Sequence, residues 1–334
     1  MRPLLYYSIN PMTTKITSLP GIRSLRVCGI AAALLFSASA SAQVIQYEWT
    51  GAEDNNWNNA ANWNPSGVPA FGTSGANVSP HTASISNASV NLTGGMLLSF
   101  GYDPANVGVF DAISLTNNAT LQISSTIRIR SVQDTTRNMF IEAGSSFITT
   151  STGATSFQVG SNDSTITTVT VQGTLQAGGM LGDSLPAPDF ESTPGGYLFD
   201  IDGGSVSFAT TNFRHQASRH PDAIGQFHIS NGGSASLGTI MRLDHPNFYI
   251  NFADASGSLN FSSTGYGTLA AVEGLINDGK IRFGNNTVDS SLFSINAIED
   301  GWQIGVIPEP STYALMAGIA TLIGVALFKR RRQD

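Results

Sequence analysis

Between residues 43 and 307, apolar residues alternate with polar ones over short runs separated by Gly, Asn and Asp. Alternation at every second position gathers the apolar set on one face of an extended strand. Leu121-Gln-Ile-Ser-Ser-Thr-Ile-Arg-Ile-Arg130 is the clearest run. It predicts a strand with Leu121, Ile123, Ile127 and Ile129 facing inward, and Gln122, Ser124, Thr126, Arg128 and Arg130 facing outward. The only helical pattern in this region is Leu269 to Asn277, stopped by Asp278-Gly279. Lys280 to Phe283 and Leu292 to Val306 read as closing strands, the latter with a tight turn at Asp300-Gly301. Asp183 to Gly196 carries Pro186, Pro188 and Pro194 and reads as a loop.

A turn residue, a small residue and two alternating apolar positions recur along the chain. Copies include Asn87-Ala-Ser-Val90, Asn118-Ala-Thr-Leu121, Gly173-Thr-Leu175, Gly204-Ser-Val206 and Gly233-Ser-Ala235. From Val90 to Leu259 the first apolar residues lie 31, 26, 28, 31, 29 and 24 apart. Such a period suggests a solenoid, because one coil cannot bury its apolar face without neighbours. The expected fold is all-β, a parallel β-helix with coils of about 28 residues. An antiparallel β-sandwich whose hairpins begin with Gly-Ser is the alternative.

Charged residues make up only 12% of the 334 residues, with Gly, Ser, Thr and Asn in their place. Segment 43–307 holds 8 cations and 21 carboxylates, a net charge of −13. Such a body repels nucleic acid and anionic lipid. Cys28 is the one cysteine and precedes this segment, so no disulfide framework or thiolate metal site is expected there.

The two ends read as sorting segments. Lys15, Arg23 and Arg26 precede the apolar run Val27 to Phe36, and Ser37 to Ala42 supplies small residues for cleavage. This predicts a signal peptide over 1–42, cut between Ala42 and Gln43, with Met1 or Met12 as the start. At the other end, Pro308, Glu309 and Pro310 introduce Ser311 to Phe328, eighteen residues without a charge, followed by Lys329, Arg330, Arg331 and Arg332. Eighteen helical residues span roughly 27 Å, enough to cross a hydrocarbon core. The basic cluster then belongs on the cytoplasmic side.

This tail resembles the PEP-CTERM sorting signal of Gram-negative bacteria. The likeness rests on Pro308-Glu-Pro-Ser-Thr-Tyr-Ala-Leu315, the Gly-containing apolar helix and the Arg-rich stop. It implies an exosortase-type sorting enzyme as partner, transient anchoring in the membrane and cleavage near Pro308-Glu309-Pro310. Delivery to the cell surface or extracellular matrix would follow. Tyr47-Glu-Trp49 through Asn62-Trp63 resembles, more loosely, the Trp/Gly/Asn openings of exported repeat proteins, including autotransporter-like β-helix chains. The expected organisation is a Trp/Asn-rich cap over 43–80, solenoid repeats over 81–262, a C-terminal cap over 263–306 and the sorting tail over 307–334.

Candidate chemistry is sparse. Trp49, Trp57 and Trp63 either plug the open end of the solenoid or form a stacking platform for polysaccharide. Asp200 and Asp202 stand two apart, roughly 7 Å on one strand face. With His215 and His220 nearby they are the candidates for glycosidase or lyase chemistry, and the two carboxylates for Ca²⁺. Against this, Asp202 abuts a Gly-Gly turn, and His215, His220, His228 and His245 have no metal-ligand spacing. The expectation is therefore an exported structural or adhesive surface protein without catalytic activity or cofactor. A polysaccharide-active enzyme or carbohydrate-binding protein on the same scaffold is the alternative.

Overall fold

A computed structural model describes residues 45–69, 81–93, 96–99, 113–131, 139–161, 166–182, 196–213, 222–286 and 289–307. Contacts divide the chain into two units, 1–40 and 41–334, and all described residues lie in the second. There the alternating segments stack into three ladders. Sheet A runs from Trp63–Asn64 and Ile45–Trp49 through His81–Ser86, Ile113–Thr116, Met139–Ile141, Ile166–Val171, Gly196–Asp202, Ile224–Ser230 and Phe248–Phe252 to Ile281–Phe283. Sheet B runs through Ser89–Leu92, Thr120–Ile123, Ser146–Thr149, Thr174–Ala177, Ser205–Phe208, Ser234–Ser236 and Ser258–Ser262 to Gly301–Val306 and Phe293–Ile298. Sheet C comprises Met96–Ser99, Ile127–Ser131, Phe157–Ser161, Met180–Gly182, Thr210–Asn212 and Thr239–Met241. Successive turns of the chain pair in parallel within each sheet, so the body is an all-β solenoid. Parallel pairing between turns rules out the antiparallel sandwich for this region.

The run from Leu121 to Arg130 is two strands rather than one. The chain turns a corner at Ser124–Thr126, between Thr120–Ile123 in sheet B and Ile127–Ser131 in sheet C. The period of two carries across the bend, so Leu121, Ile123, Ile127 and Ile129 all end inside with no exposure. Farther along the stack the core becomes aromatic. Phe199 and Phe227 stack at 4.6 Å, and Phe157, Phe208 and Phe213 pack edge-on or tilted around them.

The small residue of the repeat has a backbone cause. At the corner from sheet A to sheet B, each turn donates the N–H after its small residue to the small residue's carbonyl one turn earlier. Thr120 donates to Ala88, Ser146 to Ala119, Thr174 to Ser145, Ser205 to Gly173, Ser234 to Gly204 and Ser258 to Gly233, all at 2.8–3.0 Å. The backbones crowd there. A Cβ on Gly204 would lie 2.4 Å from the Val171 carbonyl oxygen, and one on Gly233 the same distance from that of Ile201. The preceding turn residue adopts the left-handed conformation at Asn87, Asn118, Gly203 and Gly232, which suits Asn and Gly.

The ends of the stack are covered differently. At the first end, Asn55–Trp57 bonds to Asn91, protecting the outer edge of sheet B. At the other, the Leu269–Asn277 helix buries Val272 and Ile276, with Thr268 capping it through the Ala271 N–H. Sheet B there turns antiparallel, through the Phe293–Ile298 and Gly301–Val306 hairpin. Among the described residues no helix is long and apolar enough to cross a membrane. The expected signal peptide with Ala42 and Gln43, the expected sorting tail from Pro308 to Asp334 and residues 183–195 of the expected loop lie outside the described residues.

Candidate functional site

Strands Gly196–Asp202 and Ile224–Ser230 pair in register, with Asp200 opposite His228 and Asp202 opposite Ser230. Tyr197, Phe199 and Ile201 point into the core, so Asp200 and Asp202 share the outer face of sheet A, as their spacing predicts. Asp200 Oδ1 and His228 Nδ1 are 3.8 Å apart, and each side chain is 35% exposed. Burial pushes the Asp200 carboxyl above the usual aspartate range, the His228 charge pulls it back in part, and Asp202 adds to the rise. This is the most chemically distinctive pair on the described surface: a carboxyl raised above its usual range beside an imidazole, both on rigid strands.

Asp202 is occupied otherwise. Gln172 Nε2 donates to one carboxylate oxygen at 2.8 Å, and Asn231 Nδ2 to the other at 2.5 Å. Those bonds, Asn231's first, hold the Asp202 carboxyl below the usual range. Asn231 also donates its backbone N–H to Asp254 at 2.7 Å, and Asp254 accepts from the Ser256 hydroxyl and N–H. The Asp254 carboxyl is likewise held low, chiefly by Ser256. Gln172, Asp202, Asn231 and Asp254 belong to four successive turns, so this chain of bonds ties each turn to the next. Asn117 does the same farther up, donating its backbone N–H to Glu142 at 2.6 Å and its amide to Ser86 at 2.9 Å.

His215 and His220 lie outside the described residues, in the connection between Thr210–Asn212 and Ile224–Ser230. The histidine that meets Asp200 is instead His228. Its signal in the sequence is the separation of 28 residues, one repeat period, which places it in the same outward column. Among the described residues no three His, Cys, Asp or Glu side chains form a group that could hold a metal ion.

The tryptophans do not assemble an exposed platform. Trp57 and Trp63 are each only 2% exposed, and Trp49 is partly buried against them. The Trp63 ring stands 4.9 Å from Trp49 at 83° and 4.7 Å from Trp57 at 71°, and its Nε1–H donates to the Trp57 carbonyl at 2.8 Å. Perpendicular, buried rings offer no flat face for a sugar. Asn62, fully buried, braces the loop beside them: its Oδ1 accepts from the Glu53 and Asp54 N–H groups, and its Nδ2 donates to Asp54 and Asn56. Compared with known proteins, the chain matches no family model, no curated protein and no solved structure.

Proposed function

We propose that this is an exported structural and adhesive protein of the bacterial surface or extracellular matrix, a β-solenoid scaffold without catalytic turnover. The tail supplies its sorting. Ser311 to Phe328 anchors the chain transiently with Lys329–Arg332 on the cytoplasmic side, and an exosortase-type enzyme processes it near Pro308-Glu309-Pro310. The observation that carries the scaffold reading is the bonding of Gln172, Asp202, Asn231 and Asp254 across four turns. Carboxylates fixed this way serve cohesion of the stack, and Asp202 is withdrawn from a carboxylate pair.

Deleting Ser311 to Asp334 tests the sorting. The truncated protein should leave the cell and stay in the medium, whereas the full chain partitions to membrane and surface fractions. Truncated protein retained in the membrane would refute it. The second reading is a polysaccharide-active enzyme, and the Asp200–His228 pair favours it, since a raised carboxyl beside an imidazole suits proton transfer.

A further inference from the structure

Two outward positions recur on each of the nine strands of sheet B, eighteen in all, in two straight columns set by the register. Ser262 and the exposed Ile298 lie beyond the two columns at one end of the face. The first column carries a hydroxyl on every strand from Ser89 to Ser258 and again at Ser294, interrupted only by Gly305. The second carries amides or serines from Asn91 to Asn296, with Ile148 the one apolar residue. None of these eighteen residues is charged, in a segment holding 21 carboxylates and 8 cations. Rows repeat at about 4.8 Å along the stack, and the columns stand roughly 7 Å apart.

Along the parallel turns the connections on the two flanks of this face are short, one to seven residues each. At the C-terminal end, 263–280 with the Leu269–Asn277 helix and 284–292 are longer. The connections of eleven and thirteen residues, 100–112, 183–195 and 213–223, all join sheet C to sheet A, at the corner that does not border sheet B.

We infer that the outer face of sheet B binds an extended neutral polysaccharide laid along the stack. Hydroxyls and primary amides both donate and accept, as sugar hydroxyls do. A polyanion finds no cation on this face and meets an acidic body around it. A protein partner would find none of the aromatic or Arg anchors that dominate protein interfaces. An extended pyranose chain repeats at a length close to the strand spacing, so successive sugars meet successive strands. Many weak bonds then add through multivalency. The inference rests on the adhesive reading above and supplies its partner.

The test is co-sedimentation of the mature exported protein with cellulose, with an insoluble neutral β-glucan and with alginate. Binding is expected to a neutral glucan, to persist at high salt, and to be absent for alginate. Gln122→Lys with Gln176→Lys, at two exposed positions of the second column, should weaken it about tenfold by removing hydrogen bonds on two strands. Ser207→Lys should weaken it less. Ser114→Lys with Gln226→Lys, on the outer face of sheet A, should leave it unchanged. Thermal melts confirm folding of each variant. No binding to either neutral glucan, preference for alginate, or equal loss from the sheet A and sheet B variants would overturn the inference. So would concentration-dependent dimers abolished by the sheet B variants, which would assign the face to a second copy. Surface retention of a protein that binds no glucan would refute this face while leaving the adhesive reading standing.

Discussion

The outer faces of sheets A and B share one backbone plan and differ in almost everything else. On sheet A, Asp200, Asp202, His228 and Arg282 bring ionisable groups, and Phe140, Leu198 and Tyr249 bring apolar surface, with the Arg282 guanidinium 3.8 Å above the Tyr249 ring. On sheet B the outward columns are hydroxyls and amides except at Ile148 and Gly305, and none of these residues is charged. Both faces cover the same core, so packing does not account for the contrast. Sheet A adjoins the corner that carries the long connections, and its rim holds the turn-to-turn bonds of Asp202, Asn231 and Asp254. A solenoid can thus concentrate irregularity and charge on one wall and keep another uniform.

The sharpest way to break this picture is to exchange inside for outside on sheet B. Ile123→Asp places an unpaired carboxylate in the core and should cost several kcal/mol or unfold the stack. Gln122→Asp, one residue earlier and exposed, should stay within about 0.5 kcal/mol. Equal shifts in thermal melts would mean that the assigned inward face is wrong. The corner shared by both sheets should be nearly as sensitive. Gly204→Val forces side-chain atoms against the Val171 carbonyl and should cost about 1–3 kcal/mol or more.

Smaller effects separate the two carboxylates of sheet A. The Asp202 carboxyl is held low, so its stabilisation is complete above the ordinary aspartate value of about 4 and is lost as pH falls through its lower folded value. Asp202→Ala should cost about 1 kcal/mol at pH 7, since the group is partly solvated, and the loss should shrink in acid. Asp200 runs the other way. Its folded value is raised, so the stability tied to its proton is complete below the ordinary value and is lost as pH rises through the folded one. Asp200→Asn should therefore raise the melting temperature slightly at pH 7 and have no such effect in acid. Melting curves from pH 3 to 8 decide both, and parallel curves for the two variants would refute the assignment.

Much of this was legible in the sequence because its cause is periodic. Alternation gave the inward set, and the spacing of Val90, Leu121, Phe147 and Leu175 gave the coil, since every turn must present the same face to its neighbours. The Leu269–Asn277 helix was readable from its own pattern and its Asp278-Gly279 stop. The corner at Ser124–Thr126 was not, because alternation continues through a bend that changes sheets without changing parity. The partners of the carboxylates were hidden for a related reason. Asp202 meets Gln172 and Asn231 at separations of 30 and 29 residues, legible only once the repeat is used as a ruler across turns. The tryptophans left two readings open, because composition cannot say whether a ring plugs a core or faces water.

The central claim, that the body attaches rather than degrades, is tested most directly at Asp200 and His228. The mature exported protein would be incubated with neutral and uronate-containing polysaccharides, with and without Ca²⁺, while reducing ends and unsaturated products are followed. The account predicts no turnover on any substrate. Product formation that disappears in Asp200→Ala or His228→Ala, with the fold intact by thermal melt, would contradict it and assign the outer face of sheet A to catalysis.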